Sequence, residues 1–206
     1  MPAPYAKSRE VAAKYDATAD EHYDLRYKDV QFSKYDLLLA YAERLLGSDV
    51  ARRCFAGVIV DSGCGSGLLI QWLARRGLLA RARVIGIDIS ARMLVMARQK
   101  SRRRPGIDLI TANAELPPLR NGIASCVLSV STYQNLDDAQ QALYLPALLK
   151  ILHDGPALLL FSTLANATPN DEIESIVAWA RVHFPHVIIA PDDRRVEDRL
   201  IVCATP

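Results

Sequence analysis

Long apolar runs are missing from the sequence: no stretch approaches the roughly 20 consecutive apolar residues that a membrane-spanning helix requires. Residues 1–14 also lack the apolar core of a secretory signal. Of the 206 residues, 50% are apolar and 23% are charged, a balance typical of globular domains and unlike that of disordered chains. We therefore expect a folded cytoplasmic protein without a membrane span.

Cysteine is scarce, and its spacing carries no signature of a covalent or metal framework. The four cysteines are Cys54, Cys64, Cys126 and Cys203, with no close pair and no histidine at ligand spacing. A zinc site and a disulfide scaffold both require such clustering. We expect buried free thiols and no metal.

Linkers, internal repeats and low-complexity tracts are also absent, so a second domain has no place to begin. A chain of 206 residues fits one domain with a core of useful size. We predict a single domain over residues 1–206. Residues 1–47 form an N-terminal helical arm or lid, because their first half carries tyrosines among charges, and residues 48–206 form the core.

Short apolar runs alternate with helical patterns along most of the chain. The runs at 57–60, 84–87, 107–110, 126–130 and 157–161 lack polar alternation, as do strands that are covered on both faces. Helical periodicity marks 32–46, 68–76, 91–103, 137–152 and 171–184. This order predicts a doubly wound α/β fold with a mostly parallel, Rossmann-like sheet. Two further runs, 186–190 and 200–204, have no helix between them and must pair antiparallel, which completes seven strands.

The most informative segment is a glycine-rich loop after the first predicted strand. An apolar strand ends in Asp61 and continues through Gly63, Gly65 and Gly67 into a helix. Glycine allows a sharp turn and a close approach of backbone to a ligand. A dinucleotide fingerprint would require another glycine where Leu68 stands, so pyrophosphate binding is disfavoured.

A second acid ends the next predicted strand. Asp88 follows an apolar run about two dozen residues after the glycine loop, where a carboxylate can accept hydrogen bonds from two vicinal ribose hydroxyls. Ser90 then has the position and chemistry of a helix N-cap.

These two motifs resemble those of the class I S-adenosylmethionine-dependent methyltransferases. Residues 60–67 resemble the first motif of that family and residues 87–89 the second. Residues 111–117 resemble the adenine-binding loop after strand three, and residues 126–136 resemble strand four with its loop. The resemblance covers about residues 10–205 and implies S-adenosylmethionine as cofactor, with S-adenosylhomocysteine as product.

The resemblance also implies roles for individual residues of the core. Asp61 and the backbone of Gly63, Cys64 and Gly65 would hold the methionine part of the cofactor, Asp88 the ribose, and Ile89 the adenine. Asn113 stands where the family usually carries aspartate, and its amide oxygen can still accept a hydrogen bond from adenine. The implied cofactor residues that remain are Gly67, Ala114 and Ser129.

The acceptor of the methyl group is less well marked. Ligands lie beyond the carboxyl ends of parallel strands, which makes Tyr133 and Gln134 candidates for the substrate pocket. In the arm, Tyr15 and Tyr23 are further candidates. The loop lacks the Asn/Asp-Pro-Pro-Tyr pattern that grips planar amino groups, and it is more similar to the loops of small-molecule methyltransferases, including the quinone-biosynthesis C-methyltransferases. No catalytic base is identified, because methyl transfer mainly requires positioning.

Two other functions stay open at this point. Residues 72–104 hold ten arginines or lysines against the single acid Asp88, and a basic surface over 75–104 could contact RNA phosphates. The alternative for this stretch is a solvated helix end, where cations favour the helix dipole. A non-catalytic, methyltransferase-like partner protein is the other hypothesis, because Ser62 and Ser125 depart from the family pattern. A small-molecule acceptor is the favoured prediction.

Overall fold

The computed structural model describes residues 6–20, 22–102, 104–191, 193 and 195–206. Its elements, numbered in chain order, are α1 Ala6–Thr18, α2 Tyr23–Leu46, α3 Ser48–Phe55, β1 Val58–Ser62, α4 Leu68–Arg75, β2 Arg83–Asp88, α5 Ala91–Ser101, β3 Ile107–Thr111, β4 Cys126–Val130, α6 Asp138–Ile151, β5 Ala157–Leu164, α7 Asn170–His183, β6 His186–Ile189 and β7 Asp198–Thr205. A short 3₁₀ helix, Tyr133–Asn135, lies between β4 and α6.

The strands form one seven-stranded sheet in the order β3-β2-β1-β4-β5-β7-β6. The first five strands are parallel, whereas β7 runs antiparallel to both β5 and β6. This confirms the predicted α/β class, the seven strands and the antiparallel C-terminal hairpin. The chain leaves β1 toward β2 on one side and later places β4 on the other, so the switch point that opens a ligand crevice lies between β1 and β4.

Helices cover both faces of the sheet and build two separate cores. On one face, Leu38 of α2, Phe55 of α3 and Trp72 of α4 are fully or almost fully buried against the sheet. On the other face, Tyr144 of α6 and Ile176 of α7 pack in the same way. Because the central strands are covered on both sides, they carry apolar residues without alternation.

Two features of the N-terminal segment differ from the sequence-based expectation. The helix predicted from residue 32 begins nine residues earlier, at Tyr23, because polar side chains of its first half are held by the core rather than by an apolar stripe. Helix α3 was not predicted, because its eight residues present only one buried turn, formed by Ala51, Cys54 and Phe55. Among the helices within the described residues, none has the length and apolar character to cross a membrane.

Candidate functional site

The glycine loop between β1 and α4 lies at the carboxyl end of the sheet, next to the loop that follows β4. Gly63 has a φ of +79°, and a Cβ at this position would overlap the side chain of Thr132. The Thr132 hydroxyl donates a hydrogen bond of 3.0 Å to the carbonyl oxygen of Ser62. The two loops therefore meet directly at the switch point, and only glycine fits the contact.

The backbone amides of this loop are satisfied within the protein. The N–H groups of Gly63 and Cys64 donate to the carbonyl of Ile87 at 2.8 and 2.9 Å, and the N–H of Gly65 donates to Asp88 Oδ2 at 2.7 Å. These hydrogen bonds fix the loop to β2, and all three residues line the main cavity. The loop positions its acidic neighbours.

Asp88 is held as a rigid acceptor at the end of β2. Its Oδ1 atom accepts a hydrogen bond of 2.8 Å from the N–H of Ser90, and Oδ2 accepts the bond from Gly65. Burial raises the pKa of Asp88, and the amides of Ser90 and Gly65 act in the opposite direction. Each carboxylate oxygen retains a lone pair, and the residue lines the main cavity, so it can accept further hydrogen bonds from a ligand.

Asp61 is the next-to-last residue of β1 and is almost fully buried, with 4% of its surface exposed. Unlike Asp88, it is not among the described residues that line the main cavity. Burial, and secondly the charge of Asp88, raise the pKa of Asp61 to about 7. In the part of the chain that the structure describes, no group donates a hydrogen bond to its carboxylate. An uncompensated buried carboxylate beside a second acid is favourable only with a cation nearby.

A cavity of about 800 Å³ opens beside these acids, between the sheet end and the N-terminal helices. It is lined by nine of the residues singled out from the sequence: Gly63, Cys64, Gly65, Asp88, Ile89, Ala114, Gln134, Tyr15 and Tyr23. Its volume is in the range of cofactor and substrate sites. The structure thus brings together residues of the N-terminal helices and residues at the carboxyl ends of β1, β2, β3 and β4.

Several other singled-out residues lie outside the walls of this cavity. Tyr133 is a core residue, 6% exposed, whose ring contacts Tyr144 and Phe161. Ser129 is fully buried, and its hydroxyl forms a hydrogen bond of 2.8 Å with the Tyr144 hydroxyl, which forms a second one of 2.9 Å with the hydroxyl of Ser62. Because the phenol has one proton, it donates in one of these bonds and accepts in the other. The prediction that Tyr133 lines the substrate pocket is corrected, because the 3₁₀ turn after β4 directs its ring into the core.

Gly67 and Asn113 also depart from their expected places. Gly67 precedes α4 with a φ of +79°, and a Cβ there would lie 2.9 Å from that of Ala97, so this glycine allows two helices to pack closely. Asn113 lines a second, shallower depression of about 420 Å³, which it shares with Ile89 and Ser8 of α1. Helix α1 contributes residues to both depressions, whereas Asn113 lines only the shallower one.

The N-terminal helices cover the cavity and are attached to the core by polar contacts. Asp16 Oδ1 accepts a hydrogen bond of 2.5 Å from the hydroxyl of Ser90, the residue that caps α5 as predicted. Asp24 accepts a bond of 2.6 Å from the Ser66 hydroxyl and forms an ion pair of 2.7 Å with Lys100. These contacts hold residues of α1 and α2 over the glycine loop.

A buried polar cluster at the far end of the cavity was not found from the sequence. The ammonium of Lys34 lies 2.7 Å from Asp198 Oδ1 and donates a hydrogen bond of 2.8 Å to the hydroxyl of Ser131. Asp198 also accepts hydrogen bonds from Ser131 and Ser162. The available signal was a lysine within an apolar helical stripe, since Lys34 lies one turn before the buried Leu38.

Three of the ten basic residues in the stretch 72–104 form ion pairs within the protein. Lys100 is paired with Asp24, Arg76 lies 2.5 Å from Asp36, and Arg83 lies 2.8 Å from Asp108. Arg103 lies outside the described residues. Phosphate contacts require unpaired cations on one face, so these pairings favour a structural role for Arg76, Arg83 and Lys100.

Comparisons with known proteins agree with this geometry. Residues 60–152 match a family model described as a methyltransferase domain. The chain is 39% identical over 87 residues to a ubiquinone biosynthesis O-methyltransferase of Alkalilimnicola ehrlichii. These aligned residues are 42% of this chain and 32% of that protein. The chain is 28% identical over 117 residues to an uncharacterized 37.1 kDa protein in transposon Tn4556 of Streptomyces fradiae, covering 51% of this chain and 33% of that protein. The chain therefore spans about a third of the length of these relatives.

Solved structures share the whole fold. Magnesium protoporphyrin IX methyltransferase from Synechocystis PCC 6803, crystallised with bound S-adenosylmethionine, superposes with a TM-score of 0.69 and 18% identity over 100% of both chains. At this identity the likeness concerns the fold alone. It includes the N-terminal helices as well as the sheet.

Proposed function

We propose that this chain is a class I S-adenosylmethionine-dependent methyltransferase and that it methylates a small molecule. The observation that carries the proposal is a pair of acids at the switch point: Asp88 lines a covered cavity, and Asp61 lies almost fully buried close to Asp88. The cofactor of the family is a nucleoside that carries an ammonium and a sulfonium. Its charges and its ribose complement these two carboxylates.

The residues present fit such a group. Asp88 would accept hydrogen bonds from the ribose hydroxyls, because its carboxylate is fixed by Gly65 and Ser90 and faces the cavity. Asp61 would hold the cationic methionine part, because its buried carboxylate has no donor among the residues described. Ile89 and Ala114 would lie against the adenine.

Bound S-adenosylmethionine supplies an activated methyl group. The chain's own contribution is to hold an acceptor atom near that methyl group and to exclude water. Helices α1 and α2 would help to exclude water, since Tyr15 of α1 and Tyr23 of α2 line the cavity, as does Gln134 of the loop after β4. The Tyr15 hydroxyl donates a hydrogen bond of 3.3 Å to Asn135, which joins α1 to the loop after β4.

A small acceptor fits better than RNA. The cavity is covered by the N-terminal helices, and an acceptor must enter the space that remains beside the cofactor. Lys100, a central member of the basic stretch, is 10% exposed in its pair with Asp24. Both features favour a compact molecule.

Calorimetric titration with S-adenosylhomocysteine tests the cofactor site. We expect saturable binding by the wild type and a loss of at least about tenfold in affinity for Asp88→Ala, because two ribose hydrogen bonds to a charged group disappear. Asp108→Ala is the matched control, since Asp108 is an acid on the neighbouring strand paired with exposed Arg83. Equal affinities in all three proteins contradict the assignment.

Turnover separates an enzyme from a non-catalytic partner protein. The wild type is incubated with S-adenosylmethionine and a panel of phenols, amines and carboxylic acids, and S-adenosylhomocysteine release is followed by mass spectrometry. We expect acceptor-dependent release with at least one class. Cofactor binding without any release identifies the non-catalytic alternative.

A further inference from the structure

The part of the cavity beyond the cofactor residues contains a charged group that the proposed cofactor role does not use. Lys34 projects from α2 into the wall of the cavity with only 4% of its side chain exposed, and Asp198, its partner, is fully buried at the start of β7. Ionic pairs at this depth are costly to bury. A buried lysine lining a cavity is therefore a candidate for ligand contact.

Ser131 joins this ion pair to the end of β4 in a strained conformation. It has a φ of +56°, the one positive φ of a non-glycine residue in the described parts of the chain. Its N–H donates to the Ser162 hydroxyl at 3.1 Å, and its carbonyl accepts hydrogen bonds from the side chains of Gln134 and Asn135. Residues held in such conformations cluster at functional sites, where the surrounding contacts fix them.

The ammonium of Lys34 retains donor capacity. Its one aligned hydrogen bond to the described residues goes to Ser131, and its contact with Asp198 Oδ1 is an ion pair without hydrogen-bond alignment. An ammonium has three N–H donors. A ligand atom in the cavity can accept one of them.

From this geometry we infer that Lys34 binds the acceptor oxygen, so that the acceptor class is an oxygen compound taken as an oxyanion. An oxyanion gains from a buried ammonium, whereas an amine becomes a cation on methylation and is repelled by it. The inference rests on the proposed function, because it names the acceptor of the same transfer. Asp198 and Ser131 are positioning residues that hold the ammonium in place.

The step balances without another reactant. The hydroxyl or carboxyl proton leaves to solvent when the acceptor binds ionised. The oxygen–carbon bond forms as the carbon–sulfur bond breaks, and the electron pair of that bond stays on sulfur. The products are a methyl ether or ester and S-adenosylhomocysteine.

The test uses 4-nitrophenol, whose ionised form absorbs visible light, with protein saturated with S-adenosylhomocysteine. In the wild type we expect the pKa of the bound phenol to fall by at least about one unit, a tenfold change in its ionisation. The shift is expected to vanish in Lys34→Met. Lys14→Met is the matched control, because Lys14 lines the same cavity from α1, and it should keep the shift.

A second variant guards against misfolding. Lys34→Met leaves Asp198 buried without its cation, so the double variant Lys34→Met, Asp198→Leu removes both charges and should also lose the shift. Displacement of 4-nitrophenol by benzoate, compared with displacement by aniline, separates the two oxygen classes from nitrogen. If benzoate displaces 4-nitrophenol, the site also accepts carboxylates. If benzoate does not displace it, the site accepts only hydroxyl compounds.

Three outcomes overturn the inference while leaving the cofactor assignment intact: no saturable binding of 4-nitrophenol, binding without a shift, or a shift that survives loss of Lys34. Stronger displacement by aniline than by benzoate, with no phenol shift, assigns a nitrogen acceptor instead. Failure of S-adenosylhomocysteine itself to bind is a different result and counts against the proposed function.

Discussion

The buried carboxylate of Asp61 makes cofactor affinity depend on pH in a direction that the structure fixes. Burial and the charge of Asp88 raise the pKa of Asp61 to about 7. Only the ionised carboxylate attracts the ligand's ammonium, so affinity should increase as the pH rises through 7. At pH 8 about nine-tenths of Asp61 is ionised and at pH 6 about one-tenth, which predicts about tenfold weaker binding at pH 6, or about 1.4 kcal/mol.

The stability of the ligand-free protein should change in the opposite direction. The pKa of Asp61 in the folded protein lies above the ordinary value of 3.8. Between about pH 4 and 7, Asp61 therefore keeps its proton in the folded protein but has lost it in the unfolded chain. The stabilisation is complete below pH 4 and is lost as the pH rises through 7. The difference between the two pKa values corresponds to about 4 kcal/mol as an upper bound.

Asp61→Asn separates these two effects. The variant should bind S-adenosylhomocysteine more weakly than the wild type at pH 8, with the Asp61 contribution to the pH dependence removed. Without ligand it should be more stable than the wild type at pH 8, because no buried charge remains. Calorimetry at pH 6, 7 and 8 and urea unfolding at the same values measure both. A variant that keeps the wild-type pH profile in either experiment refutes the reasoning.

Two further predictions concern packing and buried charge, and urea unfolding measures both. Gly67→Ala should lower the free energy of unfolding by at least about 2 kcal/mol, because this position combines a φ of +79° with a Cβ contact of 2.9 Å to Ala97. Gly77→Ala is the control: with a φ of +69° and open space around the Cβ, it should lower the free energy of unfolding by about 1 kcal/mol. Equal losses contradict the packing role of Gly67. Lys34→Met should lower the free energy of unfolding by about 3–5 kcal/mol, because it leaves Asp198 unpaired. Adding Asp198→Leu should restore most of this loss. A double variant no more stable than Lys34→Met contradicts this account.

Local pattern was sufficient for the seven strands and for most of the helices. Apolar runs of four or five residues between helical stretches predict buried parallel strands, because only such strands dispense with polar alternation. The last two runs had no helix between them and therefore predicted the antiparallel pair. Helix α3 and the early start of α2 escaped prediction, since one depends on a single buried turn and the other on contacts with distant residues such as Ser66 and Lys100.

In the candidate site, too, features that depend on local sequence could be predicted, and features that depend on distant contacts could not. The sequence by itself determined which residues end strands β1 and β2, so it identified Asp61, Asp88 and the glycine loop, whose chemistry depends on neighbours a few positions away. The tertiary structure alone decided where side chains point: it turned Tyr133 into the core, used the loop amides to tie Gly65 to Asp88, and joined Lys34 to Asp198 across 164 positions of the chain. Contacts between distant segments depend on how helices pack on the sheet, and the order of residues along the chain contains no local signal for them.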